Sequence, residues 1–129
     1  MSSPAVRIET ARHGPVTVLK PVGWVAAEGH VALEERLKAA VREGQTRIVL
    51  DLSAAHFVSS AGLGVFLYYK NILEEKGGRL ILAAPAGAVK KMLAAANLDK
   101  ALAICETLQA ALARATRHPG SSRRSAAET

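Results

Sequence analysis

Two adjacent serines, Ser59 and Ser60, have the setting in this sequence that most suggests chemistry. They follow the apolar pair Phe57-Val58 and precede a run typical of a helix, within the stretch FVSSAGLGVFLYYK. One serine hydroxyl is expected to cap the free backbone amides of the first helical turn. A hydroxyl displayed at this position is accessible to a kinase, and a phosphate on it would be favoured by the positive end of the helix.

Two glycines, Gly62 and Gly64, occupy the first turns of the same predicted helix. Each costs up to about 1 kcal/mol relative to alanine in a helix, so another role is expected to favour them. Glycine removes side-chain bulk and leaves a flat surface that another protein can approach closely. A phosphate there would place nearly two negative charges on that surface. The pattern predicts a protein-binding surface that phosphorylation can switch.

The other motifs for catalysis or metal binding are weak. Gly62-Leu63-Gly64 lacks the third glycine of a dinucleotide fingerprint, and Ser60 is not within a Gly-x-Ser-x-Gly elbow. His30 and Glu34 lie four apart at a helix start, which a solvated helix face explains better than a ligand pair. The four histidines and one cysteine show no zinc or iron spacing, and Cys105 is expected to be a small, inert core residue. We therefore expect no catalytic residue, no cofactor and no metal.

Length and charge limit the domain organisation. The chain has 129 residues, half of them hydrophobic, which is enough for one domain with a sizeable core. We assign residues 1–4 to a flexible N-terminus, 5–116 to the domain and 117–129 to a disordered basic tail. No apolar run reaches the roughly 18 to 20 residues of a membrane span, and the N-terminus lacks a signal-peptide pattern. A soluble, cytoplasmic protein without membrane insertion is expected.

The positive charge is concentrated near the C-terminus. Beyond Ala113 there are four arginines and one acid, which together contribute +3 of the formal net charge of +6. The tail carries no aromatic residue for base stacking and has no recognition helix nearby, so direct nucleic-acid binding is not expected.

The elements that position the serines alternate between strand and helix. Short β-branched or apolar runs predict strands at 6–9, 16–19, 48–52, 79–84 and 102–105. The first two are expected to pair through a turn at residues 13–15, and the nearly continuous apolar run 48–52 is typical of a strand covered on both faces. Helical stripes with caps and stop signals predict helices at 31–43, from the serines to 76, at 88–97 and at 108–115, the last with Thr107 as its N-cap. This order predicts an α/β domain with a mixed sheet of four to five strands, the later ones mainly parallel, and about four helices packed against it.

The stretch LDLSAAHFVSSAGLGVFLYYKNILEEKGGRLILAAP resembles the core of STAS domains, the family of anti-sigma factor antagonists. The resemblance extends from about residue 16 to residue 113. In the family pattern the serine after an aspartate is phosphorylated, and the match assigns this position to Ser60. Ser59 replaces the aspartate, and Ala61 replaces a serine or threonine. The family's Gly-x-Leu-Asp segment corresponds to PVGWVAAEG, which lacks the aspartate, and its Trp24 is either a core residue or an exposed contact.

The resemblance implies a regulatory cycle in bacterial transcription. The unphosphorylated domain would bind a serine-kinase anti-sigma factor and so release a sigma factor. That partner would phosphorylate Ser60, with Ser59 as the second candidate, and a serine phosphatase would reverse the modification. The implied partner-binding residues are Ser59, Ser60, Ala61, Gly62, Leu63, Gly64 and Trp24.

Two other function classes stay open at this point. The domain could be a STAS docking subunit of a membrane transporter complex, in which the same surface binds permanently and the serine is not modified. An enzyme or ligand carrier would need an apolar pocket with convergent polar groups, which the sequence does not indicate.

Overall fold

A six-stranded sheet and four helices make up the part of the chain that the computed structural model describes, residues 7–26 and 28–117. The elements in chain order are β1 (Arg7–His13), β2 (Val16–Val25), α1 (Glu28–Arg42), β3 (Arg47–Asp51), β4 (Ala55–Val58), α2 (Ser60–Glu75), β5 (Arg79–Ala83), α3 (Gly87–Ala95), β6 (Ala103–Cys105) and α4 (Leu108–Thr116). The mixed α/β class is confirmed, but the strand count is one higher than predicted because β4 was not recognised. The assignments for residues 1–4 and 118–129 lie outside the described residues.

The first two strands form the predicted hairpin. They pair antiparallel from Arg7 opposite Val22 to His13 opposite Val16, so Gly14 and Pro15 alone make the turn. Gly14 has a φ of 61°, a left-handed conformation that glycine adopts without steric cost. Both strands are longer than predicted. The length of β1 was underestimated because this strand is exposed at the sheet edge and does not show the apolar alternation of a half-buried strand.

The remaining strands are parallel to β2. The order across the sheet is β1-β2-β3-β5-β6, and β4 pairs separately with β2. The early part of β2 pairs with β3 through Thr17 to Leu19, whereas its last residues, Gly23 to Val25, pair with β4. The register shifts between Gly23 and Trp24, and Gly23 has a φ of 116° that favours glycine. This irregularity brings β4, and therefore the start of α2, beside the end of β2.

The sheet is covered on both faces, as the continuous apolar run of β3 predicted. Leu50 and Leu82 belong to the larger core cluster, which also contains buried side chains of α1, α2 and α3. Val49 and Ile81, which alternate with them along β3 and β5, pack in a second cluster with buried alanines of α4. Burial on both faces fixes the register of the parallel strands and so fixes the strand ends that carry the functional loops.

Several predicted details at the C-terminal half are confirmed. Thr107 caps α4, its Oγ1 accepting a hydrogen bond from the Ala110 amide at 3.0 Å. Cys105 is buried in the second cluster with a free thiol. Arg114, counted with the basic tail in the sequence, lies inside α4. Among the described residues, no helix is both long enough and apolar enough to cross a membrane.

Candidate partner-binding site

The junction between β4 and α2 holds the two serines in different environments. The Ser59 amide donates to the Val25 carbonyl at 2.9 Å, which joins the start of α2 to the end of β2. Ser59 is the N-cap residue, and its Oγ accepts a hydrogen bond from the Gly62 amide at 3.1 Å. The capping role expected for one of the serines therefore belongs to Ser59, which is half-buried.

Ser60 is the first helical residue of α2 and is exposed. Within the described ranges its hydroxyl makes no hydrogen bond to another residue. It lies at the end of the helix where the partial charge is positive, and the first turn contains no acidic side chain. A phosphoryl group could be added here without breaking a contact of the fold.

The two glycines of this turn have different roles, which corrects the expectation that both leave room for a partner. Gly64 is exposed, and a Cβ added to it would meet no atom within 4 Å. Gly62 is buried, and a Cβ there would lie 2.8 Å from Cγ1 of Val58 and 3.1 Å from the Val25 carbonyl oxygen. Gly62 is therefore needed so that α2 can pack closely against β2 and β4.

The other predicted contact residues divide between surface and core. Ala61 is exposed beside Ser60, whereas Leu63 is half-buried and packs against the larger core cluster. Trp24 has 51% of its surface exposed, which excludes the core position and leaves the side chain available for contact with a partner. The exposed members of the predicted set are thus Ser60, Ala61, Gly64 and Trp24.

Two aromatic residues near the site were missed by the sequence reasoning. Phe57 lies opposite Trp24 on β4, with the ring centroids 5.0 Å apart. Tyr68 is 56% exposed and follows Ser60 and Gly64 at intervals of four residues, so the three share one face of α2. The four-residue spacing was a usable signal for Tyr68, whereas the Trp24–Phe57 pair depends on the unrecognised strand β4.

The surface around Ser60 carries no charge of its own in the chain segments that form it. From Phe57 to Tyr69 the sequence contains no Asp, Glu, Lys, Arg or His, and the same is true of residues 21–27, which include Trp24. The first charged residue of α2 is Lys70, which forms an ion pair with Glu74 at 3.5 Å. A phosphoryl group on Ser60 would therefore convert a neutral surface into a strongly negative one.

The weaker motifs of the sequence, such as the pair His30 and Glu34, show no metal-binding arrangement in the described structure. His30 is half-buried rather than solvated as expected, and its Nδ1 is buried without a hydrogen-bond partner among the described residues. Glu34 lies near Tyr69, where it adds to the effect of burial in raising the pKa of that phenol. In the described part of the chain, no three His, Cys, Asp or Glu side chains form a group that could hold a metal ion.

Comparison with known proteins identifies the family. The family model for the STAS domain matches residues 7–111, most of the chain and all of the site. The chain belongs to the STAS domain family. This STAS domain is 30% identical over 116 residues to the anti-sigma-F factor antagonist RsfB of Mycobacterium tuberculosis, covering 87% of this chain and 92% of the relative.

Solved structures agree with this assignment. An anti-sigma factor antagonist from Mycobacterium paratuberculosis matches with a TM-score of 0.76 at 26% identity, covering 91% of this chain and 100% of that one. SpoIIAA from Bacillus in its phosphorylated form matches with a TM-score of 0.65 at 22% identity, covering 85% of this STAS domain and 98% of SpoIIAA. The second similarity supports the fold alone.

Proposed function

We propose that this STAS domain is an anti-sigma factor antagonist that binds a serine-kinase anti-sigma factor and is released when Ser60 is phosphorylated. The observation that carries the proposal is the exposed, unbonded Ser60 hydroxyl on a neutral surface at the start of α2. The names of the relatives support the antagonist role, because RsfB and the Mycobacterium paratuberculosis protein are both anti-sigma factor antagonists.

The surroundings favour Ser60 over Ser59 as the phosphorylation site. Ser59 Oγ already accepts the Gly62 amide, and phosphorylation would have to rearrange the helix cap. Ser60 makes no such contact in the described structure, so a kinase can engage its hydroxyl while the fold stays intact. The helix N-terminus stabilises the added negative charge within the domain itself.

The same charge weakens partner binding. The exposed residues of the site combine the large side chains of Trp24 and Tyr68 with the small residues Ala61 and Gly64, a combination suited to close, desolvated contact. A phosphoserine in this contact carries nearly two negative charges that must lose water unless the partner supplies cations. Binding is therefore lost on phosphorylation and restored when a serine phosphatase removes the group.

The direct test is phosphate transfer measured by intact mass. The domain is incubated with ATP and the serine-kinase anti-sigma factor from its native cell, and the expected gain is one phosphoryl group. Ser60→Ala abolishes the gain, whereas Ser59→Ala, the matched control one residue away, retains it. A protein that stays unmodified, or that loses modification only in Ser59→Ala, would overturn the assignment.

A further inference from the structure

Four arginines lie at the end of the domain opposite Ser60. Arg47 and Arg79 begin β3 and β5, and Arg114 and Arg117 lie in the last turn of α4 and at its C-cap. Ile48, the residue after Arg47, pairs with Thr17 near the start of β2. The start of α2 is instead hydrogen-bonded to Val25 at the end of β2. About eight strand residues separate the two positions, or roughly 25 Å. We call these four residues the arginine patch.

The geometry of the patch leaves most of its hydrogen-bond donors free. Arg47 and Arg79 are register partners on neighbouring parallel strands, so their side chains leave the sheet on the same face. Arg47 Nη1 donates to the Thr116 carbonyl at 2.8 Å, and Arg79 Nη1 donates to the Arg114 carbonyl at 3.5 Å. Arg114 Nη1 in turn donates to Cys105 Sγ at 4.0 Å. Each contact uses one N–H of a guanidinium that has five.

The positive charge of the patch has no matching acid in the described structure. The end of a helix contributes only about half a negative charge, against four guanidinium groups. The ion pairs of the described residues lie elsewhere and join Arg7 to Glu9, Lys70 to Glu74 and Lys90 to Glu106. Burial, together with Arg114 and Arg117, lowers the pKa of Arg79, as expected where cations are crowded.

Glu43, Glu74 and Glu75 lie toward this end of the domain, and the first two are engaged with other residues. Glu74 acts on Arg79 from a distance while its carboxylate pairs with Lys70. Glu43 accepts a hydrogen bond from the Gln45 side chain at 3.2 Å. Arg47 also lines an open hollow of about 400 Å³ between the β1–β2 turn and the loop after α1, together with Arg12 and Glu43, so a ligand can reach Arg47 from solvent.

We propose that the arginine patch binds a soluble, compact anion that carries several phosphoryl groups, such as a triphosphate chain. The planar guanidinium fork of arginine matches phosphate oxygens in pairs, which a lysine ammonium group cannot do. All five aromatic residues of the chain lie on β2, β4 and α2, so the patch has no ring on which a nucleic-acid base could stack. The large apolar side chains that are exposed in the described part of the chain, Trp24, Val31 and Tyr68, also lie on other elements, which disfavours a membrane surface.

Titration calorimetry with inorganic tripolyphosphate at constant ionic strength tests this site. The informative variant is Arg114→Gln with Arg117→Gln, because it removes two charges but keeps both main-chain carbonyls that accept from Arg47 and Arg79. The matched control is Lys38→Gln with Lys91→Gln, which removes two charges from exposed helix positions. Saturable binding to the full chain should weaken at least about tenfold in the arginine variant and by less than about twofold in the control.

Two further measurements test whether residues 118–129 are needed for binding and whether the ligand is a soluble anion or a lipid surface. A chain ending at Arg117 should bind tripolyphosphate as the full chain does, and vesicles of anionic and neutral phospholipid should not bind the protein. The proposal is overturned by absence of binding at millimolar tripolyphosphate, by equal weakening in the lysine control, by loss of binding on truncation, or by binding to vesicles alone.

Discussion

At the scale of single residues, the two neighbouring serines differ in what their oxygens do. Ser59 Oγ is fixed by the Gly62 amide, and its backbone amide is fixed by Val25. Ser60 is exposed at the first helical position. The first serine therefore contributes to stability, and the second is available for modification.

This difference gives a stability prediction for two adjacent alanine variants. Ser59→Ala removes the N-cap and should lower the free energy of unfolding by about 1 kcal/mol. Ser60→Ala removes no contact of the fold and should change it by less than about 0.5 kcal/mol. Urea unfolding of the two variants beside the wild type measures both values. Equal losses, or a larger loss at Ser60, would show that the capping role is misassigned.

At the scale of elements, α2 packs so closely against β2 and β4 that the contact position, Gly62, has no room for a side chain. Gly62 has space for a hydrogen only, whereas Gly64, two residues later on the exposed side, has open space. The sequence alone shows two equivalent glycines, because which of them faces inward depends on the approach of β2 and β4. The close approach also explains why the N-cap of α2 can bond to the end of β2.

Alanine at each glycine should change stability in opposite directions. Gly62→Ala places a Cβ 2.8 Å from Val58 Cγ1, and overpacking of this kind costs roughly 1–3 kcal/mol. Gly64→Ala adds a methyl group in open space and should raise the free energy of unfolding by up to about 1 kcal/mol. Thermal or urea unfolding distinguishes the two signs. Destabilisation by Gly64→Ala would mean that the exposed glycine has a structural role.

The buried phenol of Tyr69, which lies on α2 near Glu34 of α1, should make the free energy of unfolding decrease at alkaline pH. Burial, and to a lesser extent Glu34, raises the pKa of Tyr69 in the folded domain above the value of about 10 in the unfolded chain. The folded state then holds its proton while the unfolded state releases it, so this stability is present below about pH 10 and is lost as the pH rises through the folded pKa.

Replacing each of the two adjacent tyrosines tests this assignment. The decrease in unfolding free energy between about pH 9 and about pH 11 should be smaller in Tyr69→Phe than in the wild type. Tyr68→Phe is the control for removing an exposed phenol, and it should retain most of the wild-type decrease, because Tyr68 is the smallest of the three causes that raise the pKa of Tyr69. An equal decrease in all three proteins would show that Tyr69 does not carry the effect.

At the scale of the whole molecule, the sequence predicted the alternating elements and the two-sided burial of the sheet well. These features depend on local periodicity, which a sequence displays directly. Strand β4 was missed because its four residues pair only with the distant end of β2. The Trp24–Phe57 pair and the inward position of Gly62 depend on the same contact, so they could not be read from the sequence. The prediction for Ser60 does not depend on this contact, because it rests on a motif of adjacent residues.

Among the described residues, α4 is the last element that packs against the sheet. Ala115 is the last buried side chain of the described chain, and α4 ends at Thr116. A chain that stops after Arg117 keeps both carbonyls that accept from Arg47 and Arg79, so its melting temperature should lie within about 2 °C of the full chain. Differential scanning calorimetry makes the comparison. A drop of several degrees would show that residues 118–129 contribute to the fold.

The central claim, that a charge on Ser60 controls partner binding, is tested most directly by the affinity of the serine-kinase anti-sigma factor for the wild type and for Ser60→Asp. The variant places one negative charge at the exposed helix start, which the helix favours and a neutral contact surface does not. A titration should show binding at least about tenfold weaker in the variant, with an unchanged melting temperature. Equal affinities for the two proteins would contradict the account and would instead indicate a permanent docking surface.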